Sequence, residues 1–91
     1  MSNGQEFVIP DRVYCIGFSP YGELLATGGQ DNAVRLWDVQ KILNSGKADI
    51  TNAAIALENH EKPVLGLIFN PAGTLLASVS DDIVRLWSIM D

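Results

Sequence analysis

The chain has 91 residues, 47% hydrophobic and 19% charged, with no run near the ~20 apolar residues that cross a membrane. Its formal charge of −5, with only six Lys and Arg scattered along it, argues against nucleic acid or an anionic membrane surface as partner. Both draw cationic side chains. Cys15 is the single cysteine, so an internal disulfide is excluded and a reducing, cytoplasmic location is expected.

The opening Met1 to Glu6 has neither a basic stretch nor a following apolar run, so it does not read as a secretory signal. Gln5 to Ile9 reads as a short strand. Val13 to Phe18 is a second apolar run, ended by Ser19-Pro20 and Gly22, which is turn chemistry. Leu24 to Thr27 and Val34 to Val39 follow as strands, with turn residues between them. Gln40 to His60 is the ambiguous stretch. Gly46, Thr51 and the β-branched Ile50 and Ile55 weaken a helix, so the sequence predicts a loop over about 40–51 and a strand near Asn52 to Leu57. Strands are expected again at Val64 to Phe69, Leu75 to Ser80 and Val84 to Ile89. Apolar residues run through these strands without alternation, as in sheets covered on both faces.

The second half repeats the first. Val13 to Thr27 aligns with Val64 to Ser78, and Val34-Arg35-Leu36-Trp37 aligns with Val84-Arg85-Leu86-Trp87. Phe18 to Phe69 is 51 positions and Trp37 to Trp87 is 50, so the second copy has lost one residue from the turn before its last strand. Each copy is an antiparallel meander of short strands.

Phe18-Ser19-Pro20 with Gly22, then Leu24-Leu25-Ala26-Thr27, Asp31 and Val34-Arg35-Leu36-Trp37-Asp38 resemble the WD-repeat β-propeller family; the second copy ends Trp87-Ser88. The resemblance covers roughly Phe7 to Ile89. It implies an all-β fold of four-stranded antiparallel blades, serving as a platform for other proteins rather than as an enzyme. It also implies a buried hydrogen-bond network of His, Ser or Thr, Asp and Trp. In the second blade the matching residues are His60, Ser78, Asp81 or Asp82, and Trp87. In the first they are Thr27, Asp31 and Trp37, with no His available in Ile9 to Arg12.

Competing chemistries are weak. His60, Ser78 and Asp81 or Asp82 are of hydrolase type, but no nucleophile-elbow sequence accompanies them. One His and one Cys fall short of a metal ligand set, and no cofactor is implied. Gly28-Gly29 lacks the Lys-Ser/Thr of a phosphate loop and reads as a bulge or turn. Arg35 and Arg85 share one strand position and read as structural, each packing its stem and pairing with a nearby acid. The loops around Asp11, Arg12, Gln30, Asn32, Glu61 and Lys62 are the expected binding face, towards other proteins or, alternatively, towards small molecules or glycans held by a multivalent ring.

Two blades leave an apolar face bare at each end. The expected organisation is residues 1–9 as a strand completing a neighbour's last blade, 10–59 as blade one, and 60–91 as blade two without its own fourth strand. Homo-oligomerisation with strand exchange then closes the β-propeller, with four chains and eight blades preferred over three chains and six. The alternative is a fragment or designed piece of a longer propeller.

Overall fold

The computed structural model describes residues 4, 6, 8, 9, 12–45, 54–57 and 60–89. Two antiparallel sheets account for most of them. Strands β1 (Val13–Phe18), β2 (Leu24–Gly29), β3 (Val34–Asp38) and β4 (Ala54–Leu57) form the first sheet in that order. Strands β5 (Gly66–Phe69), β6 (Leu75–Ser80) and β7 (Ile83–Ser88) form the second.

The same turn opens each sheet. Ser19-Pro20-Tyr21-Gly22 and Asn70-Pro71-Ala72-Gly73 both place Pro where φ must be near −65° and Gly where φ is +75°. The Gly22 amide donates to the Ser19 carbonyl at 2.9 Å, and the Gly73 amide to that of Asn70 at 3.0 Å. Ser19 Oγ then accepts the Leu24 amide at 3.0 Å, as Asn70 Oδ1 accepts the Leu75 amide at 2.9 Å. Different side chains thus perform one task in the two copies.

The expected loop at 40–51 is corrected at its start, where α1 spans Val39–Ser45. Asp38 explains the helix: its Oδ1 accepts the Lys41 amide at 3.0 Å, satisfying one amide that a helix start leaves unpaired. Ile42 is buried beside Trp37, which anchors the helix to the sheet. Gly46, Thr51 and Ile50, which disfavour helix, lie beyond the reach of this cap. Residues 46–53 lie outside the described residues. The strand expected over Gln5 to Ile9 falls partly on undescribed Gln5 and Phe7. Val8 and Ile9 are in no strand, and Ile9 packs against Trp37 and Ile42.

The core lies between the sheets. Ala26, Val34 and Leu36 of the first meet Leu76 of the second and Val64 just ahead of β5, with Cys15, Leu67, Phe69 and Trp87 packed around them. β1 lies beside β5 across this junction.

Gly28 and Gly29 make the junction close. The register of β1 on β2 slips between Val13 and Cys15, a β-bulge. A side chain at Gly29 would sit 1.9 Å from the Arg12 carbonyl oxygen, and one at Gly28 would sit 2.6 Å from Val64 Cγ1. Through that gap the Val64 amide donates to the Gly29 carbonyl at 2.9 Å, tying the second sheet to the first.

Candidate functional site

The period-two geometry of strands puts Ser78 and Ser80 of β6 on one face, towards His60. Trp87 Nε1 donates to Ser78 Oγ at 2.8 Å. Ser78 Oγ lies 2.7 Å from His60 Nε2, and Ser80 Oγ lies 2.8 Å from His60 Nδ1. Both ring nitrogens and the indole therefore meet hydroxyl oxygens in a buried setting, where an unpaired group is costly. The pattern accommodates a neutral imidazole, with Ser78 donating to Nε2 and Nδ1–H donating to Ser80. Burial holds the His60 pKa below its ordinary value of 6.5, and the positive charge of Arg85 lowers it further.

The carboxylate expected in this network is not in it. Loss of one residue leaves a two-residue hairpin turn between the paired Ser80 and Ile83. Asp81 takes a positive φ of 51° at its first position. There its carboxylate binds Lys62 Nζ at 2.9 Å on the exposed surface, and Asp82 is exposed as well. Ser80 takes the role beside His60 expected of an Asp. The missed signal was Ser78-Val79-Ser80, whose two hydroxyls share a face in any strand.

In the first sheet the Trp37 indole donates to Thr27 Oγ1 at 2.9 Å. Asp31 turns instead to its own hairpin. It accepts the Ala33 amide at 3.3 Å and forms an ion pair with Arg35. The positions matching His60 and Ser80 are Ile9 and Gly29, so an apolar contact on Trp37 stands where the second sheet has an imidazole. Arg85, the counterpart of Arg35, has lost the matching turn acid, and its buried Nε makes no hydrogen bond to the described residues. Among the described residues the pairing expected of a repeated arginine is seen in the first sheet alone.

These contacts assign the hydrolase-like residues to structure. Ser78 is 1% exposed and wedged between the indole and the imidazole, so no substrate carbonyl reaches it. Among the described residues no three His, Cys, Asp or Glu side chains gather as a metal site would require.

The expected binding-face residues collect at one end of the sheets. The Gln30 amide donates to the Arg12 carbonyl at 2.9 Å, the Tyr14 hydroxyl donates to Gln30 Oε1, and Lys62 and Asp81 lie on the turn side of the second sheet. Arg12, Gln30, Glu61 and Lys62 are exposed, and Asn32 is half-buried at φ 68°. Asp11 lies outside the described residues.

Apolar side chains also stand exposed on the two outer faces. Ile16 (62%) and Phe18 (61%) stand exposed on the first sheet, and Ile68, Val84 and Leu86 (69%) on the second. Their positions in the repeat are informative. Leu86 is the counterpart of Leu36, which is 8% exposed at the junction; Phe18 is the counterpart of Phe69, packed into it. Each bare face thus copies one of the two faces already packed together.

The paired sheets, the bonded Trp residues and the repeated turn all belong to one repeat unit, and residues 5–38 and 52–88 match the family described as WD domain, G-beta repeat. The chain belongs to the WD40 family. It is 41% identical over 91 residues to the periodic tryptophan protein 2 homolog of Schizosaccharomyces pombe, covering 96% of this chain and 10% of that protein. It is 40% identical over 72 residues to nuclear distribution protein PAC1 of Gibberella zeae, covering 78% of this chain and 14% of that protein. Cleavage stimulation factor subunit 50 of Arabidopsis thaliana is 35% identical over 72 residues, at 77% and 17% coverage. The WD40 chain therefore spans a small part of each relative's length. Its second matched unit begins at residue 52, just ahead of β4, and its first begins at residue 5, ahead of β1.

Proposed function

We propose that the chain is a non-enzymatic protein-interaction module whose bare faces join further blades of the same kind, here other copies of itself, into a closed propeller. The correspondence of the faces carries this reading. Leu86 offers a second copy what Leu36 offers Leu76 within the chain, and Phe18 receives it as Phe69 does. Such an interface is heterologous, and repeated head to tail it closes into a ring of three or four chains. β7 hydrogen-bonds to β6 alone among the described strands, whereas β3 is covered by β4. Residues 5–9 of the next copy, which open the first repeat unit as β4 opens the second, are our candidate for the missing strand. It would also hide an edge that otherwise invites aggregation. A second reading is favoured by the coverage of the relatives: in a longer chain, flanking blades would cover the same faces.

The polarity of the interface gives the test. Phe18→Glu spoils one face and Leu86→Glu the other, so light scattering of either variant alone is expected to show single chains. Mixed, the two variants retain one good face each and form a two-chain complex. Association of either variant alone, or none on mixing, would overturn the head-to-tail pairing.

A further inference from the structure

The Pro-Xaa-Gly turns of the two sheets meet at the end opposite the Arg12–Lys62 loops. The approach is close: a Cβ added at Gly73 would sit 3.2 Å from Cδ of the Pro20 ring. Around this meeting point lie two adjoining clefts of about 590 Å³ each, which share Tyr21, Glu23, Leu24 and Ile89. Backbone bonds hold the walls. The Val39 amide donates to the Glu23 carbonyl at 3.2 Å, and the Ile89 amide to the Thr74 carbonyl at 2.8 Å. The site lies at the junction between the two sheets of one copy, so it exists whatever covers the outer faces.

Leu24 and Ile89 give an apolar floor. Tyr21, 82% exposed at the turn tip, offers a ring face, and Glu23 and Asp38 are the charged groups of the rim. Asp38 Oδ1 is engaged in capping α1, which leaves Glu23 as the leading anion. No Lys, Arg or His lines either cleft among the described residues. An aromatic face beside a carboxylate over an apolar floor suits a long aliphatic stem that ends in a cation.

We propose that this cleft is a docking site for a peptide segment of a protein partner carrying Lys or Arg. The proposal rests on the reading of the chain as a protein-interaction module and names where and what it binds. Acidic segments are disfavoured by the charge of the rim.

The test is fluorescence anisotropy of the full chain with a short fluorescein-labelled peptide bearing an Arg-Arg-Lys core in a Gly-Ser background, beside a matched peptide with a Glu core. The basic peptide is expected to bind and the acidic one not. Glu23→Lys should weaken binding about tenfold and Tyr21→Ala about threefold, with binding falling as salt rises. Both residues are exposed turn positions, so the fold tolerates the changes, and circular dichroism checks it. No binding of the basic peptide, or binding that ignores both variants, overturns the site. A basic peptide that ignores them but responds to Glu61→Lys at the opposite end would overturn this site while leaving the interaction-module reading intact. Failure of the head-to-tail assembly is seen separately, in the mass of the Phe18→Glu and Leu86→Glu mixture, and leaves the peptide result unchanged.

Discussion

Gly29→Ala is expected to destabilise the chain by about 3 kcal/mol or more, lowering its melting temperature by over ~12 °C. The added methyl carbon would lie 1.9 Å from the Arg12 carbonyl oxygen, and that neighbour is backbone, so no side-chain rotation relieves the clash. The bulge must open, and two bonds of 2.9 Å are strained as it does. These are Gln30 amide to Arg12 carbonyl and Val64 amide to Gly29 carbonyl. The second ties the two sheets together, so the damage reaches the junction as well as the hairpin. Gly4→Ala is the control, because a methyl there meets nothing within 4 Å. Thermal melts followed by circular dichroism decide the matter. A Gly29→Ala melting temperature equal to that of the control would show that the bulge does not hold the sheets.

Ser78→Ala carries the second large effect, about 2–4 kcal/mol in urea unfolding. One hydroxyl oxygen serves both Trp87 Nε1 and His60 Nε2, so its removal strands two buried polar groups at once. Ser80→Ala strands His60 Nδ1 alone and should cost about 1–2 kcal/mol. The order of the two variants is the informative result. Equal costs would mean that the Trp87 indole does not depend on Ser78.

Much of this was legible in the residues, for reasons that differ from element to element. The strands and turns follow from local chemistry: Pro and a left-handed Gly allow few alternatives at Ser19–Gly22 and Asn70–Gly73, and the repeat states the pattern twice. The short helix after β3 is hidden in the sequence by Gly46 and by β-branched residues further along, which disfavour helix. The Asp38 cap acts within three residues and was enough. The network in the second blade was legible as a set of side-chain types but not as a geometry. A one-residue deletion sends Asp81 into a left-handed conformation and out to Lys62, a consequence of turn length that strand patterning does not register. Ser80 and Ile9 entered the cores for complementary reasons. A hydroxyl two residues beyond Ser78 satisfies the imidazole, and where the first sheet has no imidazole an apolar side chain covers Trp37. Arg35 and Arg85 look identical in sequence, yet Arg35 pairs with its turn acid, Asp31, while the altered turn sends Asp81 to Lys62.

The mass of the chain in solution tests most directly the proposal that further copies of the chain complete the bare faces of its two blades. Light scattering coupled to size exclusion is expected to give three or four times the 9.9 kDa of one chain, with the assembly lost when residues 1–9 are deleted. A well-folded species of 9.9 kDa, unchanged across protein concentration, would contradict it.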